Sequence, residues 1–234
     1  MTAPTKAHSY RFPGCVVRVA AWHGRPDVAS IALGGPDAPT PRALDRLLDR
    51  LRADGYREAL TNAVGPAASV ALVDAGFTVK GKLHLLEHDL RRLPERSGRT
   101  RRARRPDRSA IVATDADAFG EFWRFDAVGL REAVRATPHA HVRVATDHRR
   151  VIGYSLVGRS ERTGYVQRLA VSPDASGRGH GRALLTDGMH WLARRGATRA
   201  LVNTQYDNDR ALDLYLRAGF ERLPVGLCVL GCEL

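Results

Sequence analysis

Apolar residues along this chain recur at two spacings. Leu44, Leu47, Leu48 and Leu51 stand at i, i+3, i+4 and i+7, with Asp45, Arg46, Asp49 and Arg50 between them and Gly55 beyond. That pattern predicts an amphipathic helix stopped by the glycine. Leu184, Leu185, Met189, Trp191 and Leu192 form a second stripe, with Arg182, Asp187 and Arg194 on the other side and Gly196 at its end. A third helix is predicted over 208–217, capped by Asp207 or Asn208, with Leu212, Tyr215 and Leu216 on one face. Residues 116–122 and 127–136 also read as helical. Strand-like runs cover 142–145, 151–157 and 165–171, separated by turn-like segments at 146–150 and 159–164. The apolar runs 84–90 and 228–234 read as strands too.

The order of these elements repeats. Pro36-Asp37 matches Pro173-Asp174, Ala43-Leu44 matches Ala183-Leu184, Gly55 matches Gly196, and Ala75-Gly76-Phe77 matches Ala218-Gly219-Phe220. Each copy reads strand, loop, helix, strand, helix, strand, and the shared order carries more weight than any single identity. The expected organisation is an α/β unit at 10–90, a linker at 91–108 and a second α/β unit at 109–234.

Composition bounds this picture. An apolar fraction of 44% with 26% charged residues in 234 positions fits a globular protein and excludes a disordered chain. No run approaches the length of a membrane span, and the first residues lack the apolar core of a signal peptide. Three cysteines, Cys15, Cys228 and Cys232, suit a reducing compartment better than a disulfide framework. The expectation is a cytoplasmic protein, monomeric or homodimeric, without membrane contact. Its net charge is +12, and the segment 91–108 holds nine arginines against Glu95 and Asp107. Such a run reads as a solvated linker. It has no interleaved aromatic residue to stack on a base, which argues against nucleic acid.

The chemistry starts where the run 165–171 meets its helix. Gly177, Gly179 and Gly181 alternate with Arg178, His180 and Arg182 between strand and helix. A glycine-rich loop there presents unshielded backbone N–H groups at the positive end of a helix dipole, where an anion binds. Arginine and histidine add donors for phosphate oxygens. A dinucleotide fingerprint would need glycine where Arg182 stands, and a P-loop needs a Gly-Lys pair that is absent.

Four motifs together resemble the GCN5-related N-acetyltransferases, which bind acetyl-CoA. They are Leu169-Ala170-Val171-x-Pro173, Arg178 through Leu185, Asn208-x-x-Ala211-x-x-x-Tyr215, and Gly219-Phe220. The resemblance implies a mixed central sheet flanked by helices, in tandem with a truncated N-terminal unit of the same kind. It implies that Arg178, Gly179, His180, Gly181 and Arg182 hold a pyrophosphate through their backbone, and that pantetheine lies along Leu169 and Val171. It further implies that Asn208 contacts the donor and that Tyr215 protonates the departing thiolate. Seven residues separate Asn208 from Tyr215, two helical turns along one face. The family pattern would place Arg or Gln where this chain has Ser176.

No carboxylate occupies the places where some relatives keep a general base. Tyr165, Gln167 and Asn203 stand there instead, as hydrogen-bonding groups for an amine or a water. His139 and His141 read as exposed loop residues, and the base is left unassigned. Trp123, with Phe119 and Phe122, is expected near the acceptor. Cys228 and Cys232 are too far apart for a simple chelate, so no metal is expected. In the first copy, Ala38, Pro39, Thr40 and Pro41 replace the glycine loop, and two prolines remove two N–H donors. Val73 or its neighbours stand in place of Tyr215. One site per chain follows, transferring acetyl from acetyl-CoA to a primary amine by direct attack. A protein N-terminal or lysine acetyltransferase is one alternative. A non-enzymatic acyl-CoA sensor that binds an acidic partner through its arginines is another.

Overall fold

The computed structural model describes residues 8–34 and 38–234, so the Pro36-Asp37 match lies outside the described residues. The chain forms two compact units. One takes in the residues up to His84 together with Gln205–Asp207 and Pro224–Leu234. The other takes in Leu85–Thr204 and Asn208–Leu223. The fold is mixed α/β, with helices flanking β-sheet, as the resemblance implies.

The first unit holds β1 (His8–Phe12), β2 (Cys15–Trp22), β3 (Arg25–Gly34), α1 (Pro41–Ala53), β4 (Glu58–Thr61), α2 (Pro66–Asp74) and most of β5 (Thr78–His88). In β2, Cys15, Val17 and Val19 are buried while Val16 and Arg18 face outward, the period-two pattern of a half-covered strand. The leucine stripe of α1 packs into this core with Val17, Ile31 and Phe77. Sheet order is β1-β2-β3-β4, then β12 (Leu227–Glu233), then β5. β3 and β4 run parallel, and β12 is antiparallel to both β4 and β5.

That placement departs from the sequence boundaries. The last strand of the second copy completes the sheet of the first unit, pairing Gly231 with Leu60 and Leu227 with Leu83. Leu230 sits fully buried in the first unit's core, which gives the strand its apolar reason to be there.

The second unit holds α3 (Arg108–Ala118), α4 (Ala127–Arg135), β7 (His139–Asp147), β8 (Arg150–Ser160), β9 (Thr163–Val171), α5 (His180–Arg194), β10 (Arg199–Gln205, up to Thr204) and α6 (Asp209–Arg217). Its sheet order is β10-β9-β8-β7-β6, where β6 is the short strand Arg101–Arg102. The short β11 (Glu221–Arg222) pairs with Glu87 and Leu86. Val157, Val166, Leu185, Met189 and Leu192 join α5 to the sheet.

Two expectations are corrected here. The helix foreseen over 116–122 is instead α3, which ends at Ala118, with Phe119 extended and the chain non-helical as far as Asp126. The arginine-rich segment is also no free linker. Arg101 forms a bidentate pair with Asp107 at 2.7 and 2.8 Å, and Thr100 donates to Asp187 of α5 at 2.5 Å. His190 donates to the Pro94 carbonyl at 2.9 Å. The Arg101 partner holds the Asp107 carboxyl down at about 2, against the usual carboxylate range.

Candidate functional site

The site is built on a defect in β9. Its pairing with β8 runs from Thr163 to Val171 but shifts register beside Val157, leaving Gln167 as an extra residue. Its parallel pairing with β10 ends at Val166 opposite Val202. A bulge bends its strand and moves the following side chains to the opposite face. Past Val166 the two strands therefore part, and the β10-facing edge of β9 has main-chain groups to offer an extended ligand.

A groove of about 600 Å3 opens at this point, lined by Leu169, Ala170 and Val171 on the strand. Gly177, Gly179, His180, Gly181 and Arg182 line it at the start of α5, and Asn208 and Tyr215 line it from α6. Gly177 and Gly179 have φ of +78° and +81°, the left-handed region that favours glycine, and a Cβ on either would meet nothing within 4 Å. No side chain caps α5 at Gly179. The first-turn N–H groups have no acceptor within their own helix and are available to an anion. The Arg178 side chain instead lines a neighbouring hollow of about 410 Å3 with Arg149 and Arg150.

Tyr215 is buried, packing on Phe220 with ring centroids 5.8 Å apart. Burial pushes its phenol well above the ordinary value, and the Arg168 charge pulls the other way. Asn208 caps α6, its side-chain oxygen accepting from the Ala211 N–H at 3.0 Å.

The face of the sheet on the α3 and α4 side gathers the expected acceptor residues. Tyr165 stands beside Leu201 in register, and Asn203 lies two residues further along β10 on that face. Gln167 reaches the same side, because a Cβ on Gly158 would lie 2.9 Å from its Nε2 and would also meet Thr137 Oγ1. The Gln167 Oε1 is buried and, among the described residues, has no hydrogen-bond partner. Trp123 does not line the groove. It packs edge-on against Phe122 and offers its carbonyl to Arg168.

His139 and His141 are corrected: both lie on β7, not in a loop. His141 stacks on Trp191 with centroids 4.9 Å apart, and burial pushes its imidazole down to about 4, so it is neutral at pH 7. That stacking sets it on α5, away from the α3 side of the sheet.

Sequence reasoning missed an ion cluster beside the groove. Arg168 donates from Nε and Nη2 to Asp115 at 2.7 and 2.8 Å, and from Nη2 to the Trp123 carbonyl at 2.6 Å. Tyr154 and the Phe125 N–H also donate to Asp115, at 2.6 and 2.5 Å. Burial, then the Asp115 charge, raises the Tyr154 phenol well above its ordinary value. The one available signal was an aspartate amid the small residues Ala113, Thr114, Ala116 and Ala118. Among the described residues, no group of three or more His, Cys, Asp or Glu side chains is placed to hold a metal ion.

Residues 108–220 match the acetyltransferase (GNAT) family model. A mycothiol acetyltransferase of Rhodococcus jostii (strain RHA1) is 36% identical over 113 residues, 46% of this chain and 34% of that protein. The chain thus matches about a third of the length of that relative. A GCN5-related N-acetyltransferase from Kribbella flavida superimposes with a TM-score of 0.70 at 17% identity, over 97% of this chain and 89% of its own. A tandem GNAT protein from the clavulanic acid biosynthesis pathway does so with 0.67 at 15% identity, over 99% and 85%. The segment 108–220 thus carries the likeness of this chain to the GNAT acetyltransferase family.

Proposed function

We propose that the second unit transfers an acetyl group from acetyl-CoA to a primary amine. One observation carries this reading: an uncapped, glycine-opened helix start and a strand edge freed by a bulge border the same groove. The backbone of 178–182 holds the diphosphate, and the β10-facing edge of β9 at Leu169 and Val171 pairs with the pantetheine amides. The amine attacks as its free base, forming a C–N bond to the thioester carbonyl, whose oxygen gains negative charge. Main-chain N–H groups of the strand steady that charge. Collapse breaks the C–S bond, and Tyr215 gives its proton to the departing thiolate. The products are the N-acetylated amine and CoA. Burial keeps the Tyr215 phenol protonated, so its proton is in place when the thiolate leaves.

Tyr165, Gln167 and Asn203 face the acceptor side and orient the amine or a water that relays its proton. In this reading the first unit is a degenerate copy. It has prolines where the second has glycines, and it shapes the protein rather than binding a donor.

Isothermal titration with acetyl-CoA tests the donor. A panel of small amines and peptides, followed by CoA release, tests the acceptor and separates a small-molecule enzyme from one acting on proteins. Absence of acetyl-CoA binding by the intact chain would overturn the reading.

A further inference from the structure

We propose that Arg168 is a positioning residue for the donor groove, holding Phe119 and the chain between α3 and α4 in place as one groove wall. This rests on the reading of the groove as the acetyl-CoA site. Residues 119–126 form neither helix nor strand; the Trp123 and Arg124 N–H groups donate to the Gly120 carbonyl, and the ends are tied to the helices by the Phe119 N–H on the Asp115 carbonyl and the Leu130 N–H on the Asp126 carbonyl. One guanidinium and its carboxylate reach this segment at both of its ends and in its middle. The Arg168 Cζ lies 3.5 Å from the Phe119 ring centroid and 4.1 Å from that of Phe125. Nη2 holds the Trp123 carbonyl, and Asp115 holds the Phe125 N–H. Phe119 and Ala118 line the groove, as do Leu169 and Ala170, which follow Arg168 on β9.

The bulge explains how one strand serves both ends of this arrangement. Val166 packs toward α5 with Leu185 and Met189. By strict alternation residue 168 would face the same way, and the extra Gln167 turns it to α3 instead. The deformation that frees the β9 edge for the donor thus also aims Arg168 at the wall. Lysine could keep the charge but not the bidentate pair, the third hydrogen bond and the flat stacking together.

The test compares two ligands by isothermal titration: acetyl-CoA, which fills the groove, and adenosine 3′,5′-diphosphate, which reaches only the α5 start. In Arg168→Met, acetyl-CoA should bind about tenfold more weakly, the scale of a desolvated cation–π contact, while the diphosphate is unaffected. Arg168→Lys should recover little of that loss. Phe119→Leu should weaken acetyl-CoA alone, yet add nothing on top of Arg168→Met, because both act through one wall. Amides of 119–126 should exchange faster with solvent deuterium in either Arg168 variant. Equal weakening of both ligands, additive losses, or unchanged acetyl-CoA affinity would overturn the proposal. Should Arg168→Met fail to fold, Arg168→Lys and Phe119→Leu carry the same comparison. Unaltered protein that binds the diphosphate but not acetyl-CoA would refute the groove reading itself, before any variant is made.

Discussion

Helices α1 and α5 follow equivalent strands, and each leads into a strand parallel to the one before it. Both bury a leucine stripe and stop at a glycine with positive φ, +88° at Gly55 and +83° at Gly196. They differ at their first turns. Thr40 closes α1, its hydroxyl accepting from Ala43 N–H at 3.3 Å and its carbonyl from Ala43 and Leu44 at 2.9 and 3.0 Å. Pro41 opens the helix without an N–H to give. At α5 no side chain caps, and Gly177 and Gly179 leave the donors uncovered. A strand-helix-strand scaffold is therefore neutral about anion binding until its cap is chosen. The same contrast continues at the next helix, where Tyr215 of α6 lines a groove and Val73 of α2 is exposed.

The largest expected effect breaks the open end. Gly179→Glu puts a carboxylate at the proposed diphosphate site and forces a side chain onto a left-handed backbone. Acetyl-CoA affinity should fall at least about hundredfold by titration calorimetry, since the charge term of the helix start reverses sign. Unaltered protein should bind one acetyl-CoA per chain; a second site would show that α1 is not closed after all. Tyr215→Phe should leave that affinity intact and lower kcat by about a hundredfold or more in a CoA-release assay, the usual share of a general acid. Unchanged kcat would reduce Tyr215 to the core aromatic that its helical spacing alone suggests.

A smaller effect sharpens the contrast through proton linkage. Tyr154 and Tyr215 have phenols raised by burial, so the folded chain keeps protons that the unfolded chain releases above about pH 10. Their stabilising contribution is complete below that pH and is lost as pH rises beyond it. Thermal midpoints measured from pH 8 to 11 should fall at the alkaline end, and Tyr154→Phe should make that fall shallower. An unaltered slope would mean that Tyr154 ionises as easily in the folded chain as in the unfolded one.

The sequence disclosed what is local. Leucine stripes, terminal glycines and the Gly177–Gly181 alternation each report on a few neighbouring residues, and α1, α5 and α6 follow them closely. What stayed hidden depends on partners far along the chain. Nothing near Leu227 says that it will pair with Leu83. Asp115 is one of two aspartates near the end of α3, and nothing marks it as the buried one until Arg168, 53 residues later, faces it. The bulge at Gln167 escapes a period-two reading because Tyr165 to Val171 is apolar enough on both faces to look regular. Trp123 was expected to meet substrate by its ring, whereas its carbonyl is the part engaged by Arg168.

The gentlest test acts on the closed helix. Thr40→Ala removes the cap from α1 and leaves Pro39 and Pro41 in place. Loss of such a cap costs about 1 kcal/mol, which for a chain of this size lowers the melting midpoint by roughly 2–4 °C. Acetyl-CoA affinity and stoichiometry should not change, because removing a competing acceptor does not restore the N–H that proline lacks or the space that glycine leaves. A second weak acetyl-CoA site appearing in Thr40→Ala would show that the hydroxyl alone kept α1 silent. The difference between the two copies would then lie in one side chain rather than in the backbone of the loop.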